Sequence, residues 1–118
     1  MTPDLPLRET FNQAAELYDR MRPAYPPALV ADLVRIGKIE PSSRVLEIGP
    51  GTGQLTVALA EHGCSIIAVE LGADLARVAR RNLARYPEVE VVVSPFEQWQ
   101  PTPTPEPFDV VVAATAFH

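Results

Sequence analysis

The segment that most constrains the fold covers residues 44–56 and reads RVLEIGPGTGQLT. A short apolar run, typical of a β-strand, leads into three glycines at alternate positions, and a run typical of an amphipathic helix follows. Glycine lets the backbone turn tightly and lets a ligand approach it without meeting a Cβ atom. This order of strand, glycine-rich turn and helix is typical of α/β proteins that bind ligands at the carboxyl edge of a parallel sheet.

Strand-like and helix-like segments alternate along the rest of the chain. We predict strands at residues 44–48, 65–70, 89–93 and 108–114, and helices at residues 10–21, 27–37, 54–62 and 73–85. Prolines at positions 101, 103, 105 and 107 predict an irregular connection, with at most one helical turn near residues 96–99. Strands that alternate with helices predict right-handed crossovers and a parallel sheet.

Composition limits the class of protein further. The 118 residues suffice for one small domain. The net charge of −5 argues against a general binder of nucleic-acid backbones, which needs clustered positive charge. A single cysteine, Cys64, excludes an internal disulfide and fits a reducing compartment, and no metal-ligating cluster stands out. The sequence has neither a signal-peptide core nor an apolar run of membrane-spanning length, so we predict a cytoplasmic protein.

The spacing of the glycines discriminates between ligand classes. A dinucleotide site needs a small residue at the last position of G-x-G-x-x-G, and that position falls on Gln54 or Thr56 here, depending on the starting glycine. The phosphate-loop pattern is absent. The alternative pattern, E-x-G-x-G-x-G, fits at every position, with Glu47 followed by Gly49, Gly51 and Gly53.

Five sequence blocks carry a family resemblance. They are AELYDRMRPAYP (15–26), VLEIGPGTGQLT (45–56), AVELGADLARVAR (68–80), SPFEQW (94–99) and FDVVVAATAFH (108–118). In this order they resemble the class I S-adenosylmethionine-dependent methyltransferases, and more narrowly the small-molecule branch. The resemblance implies a Rossmann-like, doubly wound, mostly parallel sheet of strand order 3-2-1-4. It also implies an N-terminal tail and helical lid (1–37) over a cofactor-binding core (38–118).

The family carries further strands after the fourth, and these are missing here. We therefore expect either a fragment of a longer enzyme or a chain that a partner or a second copy completes. The fourth strand would otherwise be left as an exposed apolar edge, which favours self-association.

The resemblance implies that the loop after the first strand cradles the methionine and ribose parts of the cofactor. It assigns to this loop Glu47, Gly49, Pro50, Gly51, Thr52, Gly53 and Gln54. Backbone N–H groups there face the cofactor carboxylate, and Glu47 neutralises the ammonium group directly or through water. Glu70 ends the second strand about 20 positions after Gly49 and accepts both ribose hydroxyls, although such an acid also serves NAD.

The adenine end of the predicted site is apolar. Leu71 walls the adenine ring. Phe96 or Glu97 contacts it from the loop after the third strand, although Ser94 and Pro95 stand where many relatives have a Gly-Asp-Ala run. The small Ala114, at the end of the fourth strand, leaves room for a ligand.

Three residues outside the core complete the predicted site. Tyr18 contacts the methionyl end of the cofactor from the lid. Arg22 either faces a carboxylate through a bidentate pair or pins the lid through a salt bridge. His118 follows the fourth strand near the expected acceptor, where a general base would act.

The implied reaction moves a methyl group from the sulfonium of S-adenosylmethionine to a small-molecule acceptor by in-line displacement, and S-adenosylhomocysteine leaves. We expect no nucleic acid and no membrane as partner. Two alternatives stay open: a non-catalytic module that binds S-adenosylmethionine or a nucleotide, and an NAD-dependent oxidoreductase, which the glycine spacing disfavours.

Overall fold

The computed structural model describes residues 13–17, 19–20, 25–100 and 107–113. The strands are β1 (Arg44–Ile48), β2 (Ser65–Glu70), β3 (Val89–Val93) and β4 (Val110–Val112). The helices are α1 (Pro27–Gly37), α2 (Gln54–Ala60) and α3 (Ala73–Asn82), with a 3₁₀ turn at Phe96–Gln98. Residues 13–17 and 19–20 are also helical, and they are called the N-terminal helical segment below.

The four strands form one parallel sheet in the order β3-β2-β1-β4, which confirms the predicted α/β, Rossmann-like fold. Ile48 at the end of β1 pairs with Val69 near the end of β2. The loop that follows β1 and the residues that follow β2 therefore meet at the carboxyl edge of the sheet, where ligands bind in this architecture.

The described helices pack against the same face of the sheet. Register places Val45, Ile66 and Val110 side by side, so these side chains point to one face. They form a core with residues of α1 and α2, including Val30, Leu55, Leu59 and Ala60. On the same face, α3 contributes Ala76 and Ala79 to a second cluster around Val91.

Several elements end earlier than the sequence predicts. Helix α2 stops at Ala60 rather than at residue 62, because the N–H groups of His62 and Gly63 bond to carbonyls three residues back, at 3.0 and 2.9 Å. Helix α3 stops at Asn82 rather than at residue 85, since the Tyr86 N–H makes the same kind of turn with the Leu83 carbonyl.

Strand β4 is shorter than predicted and covers Val110–Val112. Before it, the Asp109 N–H donates to the Arg44 carbonyl at 2.8 Å, and the Asp109 carboxylate accepts the Arg44 N–H at 2.8 Å, so a side chain makes one of the two bonds between these residues. Residues 114–118, and residues 10–12, 18 and 21 of the predicted N-terminal helix, lie outside the described residues. Among the described residues, no helix has the length and apolar character needed to cross a membrane.

Candidate cofactor-binding site

The loop between β1 and α2 owes its shape to three glycines. Gly49, Gly51 and Gly53 have φ values of +69°, +62° and +94°, a region that residues with a Cβ adopt only at a cost. The Gly49 N–H donates to the Val69 carbonyl at 2.9 Å, and the Gly53 N–H donates to the Pro50 carbonyl at 3.0 Å. The alternate glycines thus form a tight turn directly after the paired part of β1.

Gly53 also lets the loop approach helix α3. A Cβ atom at this position would lie 3.3 Å from Leu83 Cδ1 and 3.6 Å from Ala79 Cβ. The third glycine therefore serves packing inside the protein in addition to the turn. This close contact resembles the role of a small residue in other glycine-rich binding loops.

Glu70 joins the glycine loop to the turn after β2. Its side chain is almost buried, with the residue 7% exposed. One carboxylate oxygen accepts the Gly51 N–H at 2.9 Å, and the other accepts the Gly72 N–H at 2.8 Å. Because each carboxylate oxygen has two acceptor sites, two sites remain for a diol such as the ribose of a nucleoside.

Glu47 lies beneath the loop rather than on its rim. It is 2% exposed and points to the helix-bearing face, where its carboxylate accepts a hydrogen bond from the Thr56 hydroxyl of α2. Thr56 is fully buried, and sequence reasoning used it only as a mark against a dinucleotide pattern. Direct contact between Glu47 and the cofactor stays a prediction.

A network of polar side chains from α2, α3 and the N-terminal helical segment holds the loop at Thr52. The Thr52 hydroxyl donates to Gln54 Oε1 at 2.8 Å, and Gln54 Nε2 donates to Asp19 Oδ1 at 2.7 Å. Asn82 Nδ2 donates to the same Asp19 oxygen at 3.0 Å and to the Thr52 carbonyl at 2.8 Å. Sequence reasoning missed Asp19 and Asn82, although Asp19 lies inside the first resemblance block.

The predicted adenine wall lies at the same edge of the sheet. The Ser94 N–H donates to the Glu70 carbonyl at 3.0 Å, which joins the loop after β3 to the end of β2. Leu71 is 70% exposed and Phe96 39% exposed, and Glu97 is exposed as well. Large exposed apolar side chains beside a nearly buried carboxylate suit the base and the ribose of one nucleoside.

Four predicted site residues lie outside the described residues and stay predictions: Tyr18, Arg22, Ala114 and His118. Within the described ranges, no cluster of histidine, cysteine, aspartate and glutamate side chains is arranged to hold a metal ion.

The basic side chains of α3 contact the N-terminal helical segment. Glu16 accepts hydrogen bonds from Arg81 at 2.6 Å and from Arg77 at 3.3 Å. The Arg81 guanidinium, mainly through its hydrogen bond, holds the pKa of Glu16 below its ordinary value. Arg77 and Arg81 thus join α3 to the N-terminal helical segment, although both side chains stay about half exposed.

A depression of about 290 Å³ lies at the opposite edge of the sheet, where the strands begin. Its lining includes Arg44, Ser65 and Phe108, and the Arg44 guanidinium stacks 4.8 Å from the centre of the Phe108 ring. Ligands of parallel sheets bind at the carboxyl edge, so this depression is not part of the candidate site.

Comparison with known proteins identifies the family. The methyltransferase domain family matches residues 45–118, and the chain belongs to it. The ribosomal RNA small subunit methyltransferase A of Synechococcus sp. (strain JA-3-3Ab) is 39% identical over 83 residues, which cover 67% of this chain and 30% of that protein. The protein-L-isoaspartate O-methyltransferase of Gloeobacter violaceus is 36% identical over 90 residues, which cover 76% of this chain and 44% of that protein.

Solved structures agree with this assignment. The 23S rRNA methyltransferase ErmE superposes with a TM-score of 0.64 at 32% identity, over 78% of this chain and 36% of that chain. An S-adenosylmethionine-dependent methyltransferase from Thiobacillus denitrificans, solved with S-adenosyl-L-homocysteine, shares the fold with a TM-score of 0.65 at 21% identity, over 96% of this chain and 45% of that chain. The prediction of a methyltransferase with the class I fold is confirmed at the level of family and fold. The chain spans less than half the length of each of these proteins.

The predicted partners are wrong. We expected a small-molecule acceptor and excluded nucleic acid, but one of these relatives and one of these structures are, by name, ribosomal RNA methyltransferases. The exclusion rested on the net charge of −5. Net charge does not say where charged side chains lie on a surface, so it cannot exclude a nucleic-acid acceptor.

Proposed function

We propose that the carboxyl edge of β1 and β2 binds S-adenosylmethionine through the glycine loop and Glu70. The observation that carries the proposal is the position of Glu70, whose two oxygens are fixed by the N–H groups of Gly51 and Gly72. Two backbone donors hold the carboxylate in one orientation, so the ribose hydroxyls meet acceptors that are already aligned.

The remaining contacts follow from the position of each group around Glu70. Leu71 and Phe96 are exposed at the edge that the adenine would reach, and Glu97 lies in the same 3₁₀ turn as Phe96. The methionine part of the cofactor would then lie along the loop, near Pro50 and Thr52. Glu47, held by Thr56, would face the cofactor ammonium group from beneath the loop with its carboxyl oxygens.

We propose further that the protein is a methyltransferase. When bound, S-adenosylmethionine supplies a methyl group on a sulfonium, which a nucleophile of the acceptor takes by in-line displacement as S-adenosylhomocysteine leaves. The task of the residues described here is to hold and orient the cofactor and to exclude water from it. The two curated relatives share this part of the fold but are named for different acceptors, ribosomal RNA and protein isoaspartate. The shared fold therefore does not identify the acceptor.

Calorimetric titration with S-adenosylhomocysteine tests the proposal, with NAD as the competing ligand. The wild-type chain should bind the first saturably and the second not at all. Gly51→Ala should abolish or strongly weaken binding, because a Cβ at a φ of +62° forces the loop to shift the N–H that Glu70 holds.

Gly63→Ala is the matched control. Gly63 also has a positive φ, of +83°, but it lies in the exposed turn after α2, away from Glu70. Both variants should lose stability from the left-handed backbone, Gly51→Ala more because it also disturbs the bond to Glu70, and only Gly51→Ala should lose affinity. Failure of the folded wild-type chain to bind S-adenosylhomocysteine, or binding of NAD in its place, would overturn the proposal.

A further inference from the structure

A single carboxylate joins the N-terminal helical segment to the glycine loop. The Asp19 side chain is 16% exposed, and its Oδ1 atom accepts two side-chain amides, from Gln54 at 2.7 Å and from Asn82 at 3.0 Å. Its other oxygen lies 3.4 Å from Arg81. Two of these three contacts of the Asp19 carboxylate are thus with groups that also contact the loop.

Both amides that contact Asp19 also contact Thr52. Gln54 accepts the Thr52 hydroxyl at 2.8 Å, and Asn82 donates to the Thr52 carbonyl at 2.8 Å. Thr52 lies between Gly51 and Gly53, and neither glycine has a side chain that could hold the loop in place. The conformation of the loop therefore depends on groups outside it, and Asp19 fixes two of them.

We infer that Asp19 is a positioning residue, which holds the glycine loop in its cofactor-receiving conformation by orienting Gln54 and Asn82. This inference rests on the proposed function, because it concerns the same loop. Asp19 acts through the two amides and requires no contact with the cofactor.

The neighbouring Glu16 gives the contrast. It also joins the N-terminal helical segment to α3, but its partners Arg77 and Arg81 are 47% and 53% exposed and, in the bonds described, do not reach the loop. Exposed ion pairs contribute little, whereas short hydrogen bonds to a partly buried carboxylate are strong. We therefore expect substitution of Asp19 to change ligand affinity and substitution of Glu16 to leave it unchanged, although both residues lie in the same segment.

The test compares three variants of the full chain: Asp19→Ala, Asp19→Asn and Glu16→Gln. Apparent affinity falls with the fraction of molecules whose loop is competent. Asp19→Ala releases both amides, and the share of the lost bond energy that acts on the loop should weaken S-adenosylhomocysteine binding by at least about tenfold. Asp19→Asn retains an oxygen at the same place and should recover most of that loss, whereas Glu16→Gln should stay within about twofold of wild type.

Hydrogen exchange in the ligand-free protein supplies the second measurement. The amides of Gly51 and Gly53 are bonded in the structure and should exchange faster in Asp19→Ala, while amides of β1 and β2 keep wild-type rates. A purely structural role would instead raise exchange throughout the sheet. If Asp19→Ala fails to fold, Asn82→Ala, which removes one arm of the same network, is judged by the same two measurements.

The outcomes separate the inference from the proposed function. If the wild-type chain does not bind S-adenosylhomocysteine, the proposed function fails, and the exchange rates of the ligand-free loop still decide whether Asp19 positions it. If Asp19→Ala keeps both wild-type affinity and wild-type loop exchange, the inference is wrong. An equal loss of affinity in Glu16→Gln would also overturn it, since docking of the whole segment would then be the cause.

Discussion

Replacement of Glu70 by glutamine is the most direct test of how the site is held. Glu70→Gln exchanges one carboxylate oxygen for an NH₂ group without a change in size. Whichever way the amide turns, its NH₂ group faces a backbone donor, either Gly51 N–H or Gly72 N–H. The variant therefore loses one hydrogen bond to a charged acceptor and places two donors against each other.

The cost follows from the burial of the site. Hydrogen bonds to charged groups contribute about 1.5–3 kcal/mol each, and solvent screens little at a residue that is 7% exposed. We expect the free energy of unfolding to fall by roughly that amount. If Glu70 also accepts the ribose hydroxyls, the affinity for S-adenosylhomocysteine should fall by about 10- to 100-fold, the same free energy converted to a binding constant.

Urea unfolding followed by circular dichroism gives the first quantity, and calorimetric titration gives the second. Glu90→Gln on strand β3 is the matched control, because this exposed glutamate lies in the same sheet. It should change stability by no more than about 0.5 kcal/mol. Wild-type stability and affinity in Glu70→Gln would refute the reasoning, and a loss of stability alone would refute the part that concerns the ligand.

Three further predictions test the surroundings of the site. Gly53→Ala should lose about 1–2 kcal/mol of stability because alanine is strained in a left-handed backbone conformation. Its Cβ would also crowd Leu83 Cδ1 at 3.3 Å, which should add to the loss. An unchanged melting temperature would contradict this prediction. Burial raises the pKa of the Cys64 thiol, so iodoacetamide at pH 8 should label it only after unfolding, and mass spectrometry of the native protein would reveal any earlier labelling. Because Arg81 lowers the pKa of Glu16, this pair stabilises the folded chain above the ordinary pKa of 4.5, and the contribution is lost as pH falls through the lowered value. As the pH falls below 4.5, limited proteolysis should cleave the N-terminal helical segment of the wild-type protein faster. Glu16→Gln, which lacks the titrating carboxylate, should show no such pH dependence.

The parts of the site that depend on short stretches of sequence could be predicted from the sequence alone. Alternate glycines after an apolar strand predict a turn of positive φ, and Gly49, Gly51 and Gly53 all have one. An acid at the end of the next strand predicts a carboxylate beside that turn, and Glu70 bonds to Gly51 across 19 positions. Both features follow from where β1 and β2 end and from their parallel pairing, and the residue patterns of the two strands predict these ends.

The features that sequence reasoning missed are long-range or depend on burial. Asn82 and Asp19 lie 63 positions apart, and no local pattern links an amide late in one helix with a carboxylate near the N-terminus. Thr56 entered the sequence analysis only as a residue that does not fit the dinucleotide-binding pattern. Its hydrogen bond to Glu47 depends on how α2 packs on the sheet, which the pattern does not predict. The acceptor was misjudged for a related reason, since net charge does not describe how charged side chains are distributed in the fold.

The order of strands in the sheet has a consequence for how the site forms. β1, α2 and β2 follow one another in the chain, so the bond between Gly51 and Glu70 closes a loop of 19 positions, and that between Thr56 and Glu47 closes one of 9. The pairing of β1 with β4 joins Arg44 to Asp109 across 65 positions. Short loops close at a lower entropic cost, so the cofactor loop should become protected early in folding. Pulse-labelled hydrogen exchange during refolding should show protection of the Gly51 amide before that of the Asp109 amide, and the binding edge would then exist before the sheet is complete.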